Sequence, residues 1–149
     1  MINLNSSALI CRPIGQVFDF VSTPENDVGW HYGTLAASTL SEGIPSQGTF
    51  FRSIGHWMGR RNLSTFEVTE YEPGQEYGFK SLSGPLSSQT YYSLGMGDNG
   101  CTKIKISVQA DVLNFFQMEE RILEEKMQKQ LEEDLGMLKD LLETKSFAG

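Results

Sequence analysis

FFQMEERILEEKMQKQLEEDLGMLKDLLET, residues 115–144, is the stretch whose reading decides the fold. It holds no proline and is dominated by Glu, Lys, Gln, Leu and Met, so it predicts one helix from about Phe115 to Thr144, a rod of about 45 Å. Asn114 and Gln117 have the spacing of a capping box at its start. With about 100° of rotation per residue, Phe116, Leu123, Met127, Leu131, Leu138, Leu141 and Leu142 fall on one face, with Leu135 at its edge. Gly136 lies toward the other side, where it costs roughly 1 kcal/mol relative to alanine. Glu124, Glu125, Gln128 and Glu132 make up a polar outer face that reads as solvated. Asp134 is the exception, since the wheel sets this carboxylate near the centre of the apolar stripe.

Upstream the period changes. From Gly33 to Ala110 apolar and polar residues alternate, giving candidate strands at roughly 34–42, 48–57, 61–72, 76–82, 88–96 and 102–110. Turn compositions separate them: Gly43-Ile44-Pro45, Gly59-Arg60, Pro73-Gly74, Ser83-Gly84-Pro85 and Gly97-Asp98-Asn99-Gly100. None of these glycines opens a helix as a phosphate-cradling loop would. Ile104, Ile106 and Val108 alternate with Lys103 and Lys105, which points the even positions inward there. Phe66 and Val68, Tyr77 and Phe79, and Tyr92 and Leu94 define inner faces in the same way. Strand 48–57 stays ambiguous, with Phe50, Arg52, Ile54 and His56 on one face and Phe51 and Trp57 on the other. Before this region come a first strand at 2–11 and two short helices. One opens at Pro13 and runs to about Val21; the other opens at Thr23-Pro24-Glu25-Asn26 and ends near Trp30.

Composition narrows the function. The chain has 149 residues, the size of one domain, and carries a formal charge of -7. Binding to phosphate needs clustered Lys and Arg, and the only adjacent basic pair is Arg60-Arg61. Nucleic acid is therefore not an expected partner. No apolar run approaches the roughly 18 residues of a membrane span, so no membrane insertion is expected. Met1 to Arg12 does not read as a signal peptide, and the cytoplasm is the expected location. Cys11 and Cys101 are too few for a disulfide scaffold or a zinc site, and both read as small buried apolar residues, although a bond between them stays open. With two histidines, His31 and His56, and no ligand spacing, neither a metal nor a cofactor is expected.

The order of one strand, two short helices, six strands and a long amphipathic helix resembles the helix-grip START/SRPBCC superfamily, in its polyketide cyclase/dehydratase-like branch. Val17-Phe18-Asp19-Phe20-Val21 followed by Pro24-Glu25-Asn26 and Trp30 is similar to that family's opening helices. Val68-Thr69-Glu70-Tyr71-Glu72-Pro73-Gly74 is similar to its mid-sheet turn, and Asp134 to Glu143 to its closing helix. The resemblance implies a single α+β domain over 1–149: a curved antiparallel sheet of about seven strands around a long C-terminal helix, with two short helices after strand 1. It also implies a cavity between sheet and helix for a small hydrophobic molecule. Large adaptable aromatic and Met side chains on the inner faces suit such a pocket.

The cavity candidates are Trp30, His31, Arg52, His56, Phe66, Phe79, Tyr92, Phe116, Glu120, Leu123 and Met127. His31 and His56 titrate near neutrality and could act as bases. His56 shares a strand face with Arg52, from which both could reach a ligand carbonyl or carboxylate if that face is inward. Glu120 and Asp134 would need partners, or would hold their protons, if buried. For Asp134 the expected outcome is a bond to a nearby backbone amide or contact with water. Trp57-Met58 at a hairpin tip is a candidate lid. The leading expectation is a binder or carrier of a small hydrophobic ligand. The alternative is a cyclase/dehydratase-type enzyme on a polyketide-like or aromatic substrate, which requires two inward polar groups within hydrogen-bond reach. A third expectation, a protein-interaction module, requires a filled core. Homodimerisation stays open.

Overall fold

The computed structural model describes residues 1–57, 59–112 and 119–144, the side chains of Trp57 and Val112 excepted. The chain runs β1 (Ile2–Ile10), α1 (Ile14–Val21), a 3₁₀ helix (Pro24–Gly29), β2 (Thr34–Thr39), β3 (Phe50–Trp57), β4 (Arg60–Glu72), β5 (Glu76–Ser83), β6 (Leu86–Met96), a second 3₁₀ turn (Asp98–Gly100), β7 (Thr102–Val112) and α2 (Glu120–Thr144). All seven strands form one antiparallel sheet in the order β1-β7-β6-β5-β4-β3-β2. This is the helix-grip α+β architecture that the periodicities and the resemblance imply.

Alternation within each strand builds the concave face. In β7 Thr102, Ile104, Ile106 and Ala110 are buried while Lys103 and Lys105 are exposed, as a period of two demands. Opposite them, Ile2 pairs with Ala110, Leu4 with Val108 and Ala8 with Ile104, so β1 and β7 fill one end of the core together. In β3 the ambiguity resolves: Phe51 is buried, and Phe50, Arg52 and Ile54 are exposed. Where β4 pairs β5 the register shifts twice, with Leu82 of β5 extra opposite Thr65–Phe66 and Thr69 of β4 extra between Val68 and Glu70, and it shifts in β2 between Thr34 and Ala36. Such bulges bend the strand that carries them. The turn from β6 to β7 needs positive φ at Asn99 (58°) and Gly100 (75°), which asparagine and glycine tolerate best.

Helix α2 closes the concave face with Leu123, Leu131, Leu135, Leu138 and Leu142 buried, while α1 buries Val17, Phe18 and Val21 at one end. It has 25 residues, not the thirty expected, because Glu119 already lies outside it. The expected start at Phe115, with its Asn114–Gln117 capping box, falls outside the described residues. The expected solvated outer face needs correction as well. Glu124 accepts a hydrogen bond from the Asn3 amide (3.2 Å), Gln128 both accepts from the Asn5 amide (3.2 Å) and donates to the Asn5 carbonyl (2.7 Å), and Lys139 donates to the Leu9 carbonyl (2.7 Å). Glu143 accepts from the Cys11 amide at 2.9 Å. These polar side chains occupy the outward backbone groups of β1, which would otherwise be an open edge able to pair with another chain. Glu125 and Glu132 are exposed as expected.

Cys11 and Cys101 are joined in a disulfide. They sit just after β1 and just before β7, next to the paired residues Ile10 and Thr102, so the register brings them face to face. Cys101 is buried as read, Cys11 is exposed against that reading, and the bond left open forms as a cross-strand link.

Candidate functional site

Between the concave face and α2 lies a cavity of about 460 Å³, within the range of small-molecule sites. Phe51, Phe66 and Phe79 form one apolar wall, with Phe51 and Phe66 stacked 5.0 Å apart and Phe79 set edge-on to both. Ile106 and Val108 of β7 and Leu123, Met127 and Leu131 of α2 complete it. A filled core, which the interaction-module expectation requires, is not what these elements enclose.

A polar part of the wall comes from the 3₁₀ helix and the loop after it, β6 and α2. Asp27 lies in the 3₁₀ helix whose backbone carbonyl at that same residue accepts from the Trp30 and His31 amides (3.1 and 2.8 Å). Trp30 is buried, and its indole lies against the His31 ring at 3.7 Å between centroids, fixing the imidazole from behind. His31 Nδ1 stands 3.4 Å from an Asp134 carboxylate oxygen, and Nε2 stands 3.4 Å from the Tyr92 hydroxyl. In the tautomer that turns its Nδ1 proton to Asp134, the imidazole accepts from Tyr92 through Nε2. Asp134 also accepts from the Tyr32 amide (3.2 Å) and the Gln130 side-chain amide (2.8 Å). The carboxylate on the apolar stripe therefore has the backbone-amide partner expected of it, and two side-chain partners besides.

Electrostatics single out two members. Burial pushes the Asp27 carboxyl from 3.8 up to about 7; His31 and the Trp30 N–H pull the other way, and Glu25 adds to the rise. The Trp30 indole N–H meets no acceptor at hydrogen-bonding geometry, so it acts on Asp27 only as a nearby dipole. Burial likewise holds the Tyr92 hydroxyl well above its usual range, with the charges of Asp27, Tyr77 and Asp134 contributing. Asp27 thus keeps a proton to give near neutral pH, and Tyr92 stays a neutral phenol. Such a wall can donate to, or accept from, an oxygen on a bound molecule.

Of the sequence candidates, His31, His56, Phe66, Phe79, Tyr92, Leu123 and Met127 border this cavity. Three others do not. Arg52 is exposed on the convex side of β3, because Phe51 and Ser53 beside it turn inward. His56, toward the far end of the strand, borders the cavity and packs edge-on against Tyr32 (5.2 Å). The two are thereby separated, and their shared reach toward a ligand fails. Glu120 is exposed at the start of α2 and pairs with the N-terminal amine at 2.7 Å. Trp30 is buried behind His31 instead of lining the space. Phe116, Met58 and the Trp57 side chain lie outside the described residues, and the candidate lid with them. Asp27 and Gln130 were missed. A carboxylate four residues before a histidine on one helical face was the available signal for Asp27. Among the described residues no group of three or more His, Cys, Asp or Glu side chains is arranged to hold a metal, and no helix is long and apolar enough to cross a membrane.

Comparison with known proteins supports the same architecture. A START superfamily protein from Mycobacterium smegmatis is similar over 96% of this chain and 98% of its own, with 13% identity and a TM-score of 0.81. The Zhui aromatase/cyclase from Streptomyces sp. R1128 is similar over 99% and 98%, with 14% identity and a TM-score of 0.81. The protein TTHA0849 from Thermus thermophilus is similar over 94% and 96%, with 16% identity and a TM-score of 0.78. At these identities the likeness establishes the fold. No curated protein matches the sequence. The family model described as polyketide cyclase / dehydrase and lipid transport matches residues 1–143. On that match, which spans nearly the whole chain, the protein belongs to the polyketide cyclase/dehydrase and lipid transport family.

Proposed function

We propose that this protein holds a small hydrophobic molecule in the cavity between the sheet and α2, as a binder or carrier. The observation that carries the reading is the enclosure itself: about 460 Å³ of space walled by Phe51, Phe66, Phe79, Leu123 and Met127. A cavity of that size walled by apolar side chains offers a ligand apolar burial and dispersion contacts. Membership of a family described by polyketide chemistry and lipid transport supports the same class of ligand. The test is native mass spectrometry of protein purified from its own host, followed by thermal shifts against a lipid and aromatic panel. A co-purifying apolar molecule that raises the melting temperature on re-addition is the expected result. No bound species and no shift across the panel would refute the proposal.

A second reading, a cyclase/dehydratase-type enzyme on a polyketide-like or aromatic substrate, has one observation in its favour. Tyr92, His31 and Asp134 form a chain of polar contacts on the cavity wall, so inward polar groups do converge. Catalysis by this chain requires His31→Gln to abolish turnover while ligand affinity stays within a few-fold. Equal turnover by the variant would dismiss the reading.

A further inference from the structure

One part of the cavity wall carries chemistry that its apolar part does not. The titratable groups on the wall are Asp27 of the 3₁₀ helix, His31 and Tyr32 of the loop after it, His56 of β3, Tyr92 of β6, and Lys126 and Asp134 of α2. Their wiring decides what a ligand meets. Asp134 already takes the Tyr32 amide, the Gln130 amide and the Nδ1 side of His31. The Nε2 side of His31 faces Tyr92. Both imidazole nitrogens are thus turned toward protein oxygens, and neither presents an open cationic donor to the space. An anion placed beside them would instead face two carboxyl groups, Asp27 and Asp134.

The one lysine on the wall stands apart. Lys126 is exposed and lies eight residues before Asp134 on α2, about 12 Å along the axis from it. The other polar side chains on the wall are the hydroxyl groups of Thr34, Ser53, Ser88 and Thr90 and the Gln130 amide, each hydroxyl able to donate or accept. Burial lifts the Asp27 carboxyl to about 7, so below that pH it adds an O–H donor, and above it a negative charge.

Resting on the binder reading above, we propose that the cavity selects ligands whose polar end is an uncharged oxygen function, a ketone or a hydroxyl, and rejects a carboxylate on the same skeleton. The hydroxyl-bearing wall matches either neutral function, whereas a carboxylate beside Asp27 and Asp134 meets like charge.

The probes are naphthalene, naphthol, acetonaphthone and naphthoate, titrated calorimetrically into the full-length protein at about pH 8, where both naphthoate and Asp27 are ionised. Naphthol and acetonaphthone are expected to bind at least about ten-fold more tightly than naphthoate. Asp27→Asn, checked for a wild-type circular dichroism spectrum, should shrink that gap at least about three-fold by improving naphthoate binding. Naphthoate binding as tightly as naphthol, for instance with its carboxylate turned to Lys126, would overturn the inference while the binder reading stood. A gap unmoved by Asp27→Asn would overturn it too. Failure of all four probes, naphthalene included, would bring down the binder reading and this inference with it.

Discussion

Replacing Asp27 by asparagine is predicted to stabilise the protein, and to do so more as pH rises. The folded chain keeps the Asp27 proton up to about 7, against 3.8 for the free side chain. Between those values the folded state binds more protons than the unfolded state. Wild-type stability therefore declines as pH climbs from about 4 to about 7 and levels off above, since unfolding then releases the carboxylate from an apolar setting. A shift of about three units corresponds to about 4 kcal/mol. Asp27 keeps some accessible surface along the cavity, and screening there reduces the expected effect to about 2–4 kcal/mol. Asparagine has nearly the same shape without the charge, and the backbone carbonyl that holds the Trp30 and His31 amides is untouched by the change. Urea unfolding followed by far-ultraviolet circular dichroism at several pH values provides the assay. Wild type and variant should converge toward about pH 4 and separate by about 2–4 kcal/mol at pH 8, with the variant more stable. Parallel pH profiles, or a variant less stable at pH 8, would refute the claim that burial holds the Asp27 proton.

Other consequences follow from packing and covalent structure. Leu138 is fully buried (0% exposed) under the sheet, so Leu138→Ala should lower stability by about 2–5 kcal/mol. Its neighbour Met137 is 53% exposed, and Met137→Ala should change stability by no more than about 0.5 kcal/mol; denaturant midpoints compare the two. The Cys11–Cys101 link spans 90 residues, and loop-closure entropy predicts that reduction costs up to about 4–5 kcal/mol. Thermal melts with and without reductant, with intact mass to count thiols, check this, and unchanged melting would contradict it. Tyr92→Phe should leave the fold intact and weaken binding of ketone or alcohol ligands by about 3- to 10-fold, one neutral hydrogen bond's worth, as calorimetry would show.

Much of the fold is legible because its periodicities are strong. Lys103 and Lys105 flanking Ile104 and Ile106 reveal the inner face of β7 without any neighbour, and Leu131, Leu138 and Leu142 do the same for α2. Where both faces carried large apolar or mixed residues, as with Phe50 against Phe51, alternation could not choose; pairing with β4, which sets Phe51 opposite Phe66, decides it. The polar wall was far less legible. Asp134 could be placed on the apolar stripe, but its partners at Tyr32 and His31 lie about a hundred residues away in sequence and come together only through the sheet. Asp27 looked like one more acid in a short helix, and its burial comes from the cavity it borders. Arg52 and Glu120 were read inward from a strand face and a wheel angle; the register of β3 and the position of the N-terminal amine send them out. The helper role of Glu124 and Gln128 at the β1 edge was invisible for the same reason, since a polar helix face reads as solvated until a strand is set beside it.

The central claim is that a hydrophobic molecule occupies the space between the sheet and α2. Methyl-labelled nuclear magnetic resonance, with naphthol titrated into the intact protein, tests it most directly. The account predicts that the methyl groups of Ile106, Val108, Leu123, Met127 and Leu131 shift together and saturate at one ligand concentration. Shifts confined to exposed side chains such as Ile44 and Met96, with the cavity methyl groups unmoved at saturation, would contradict it.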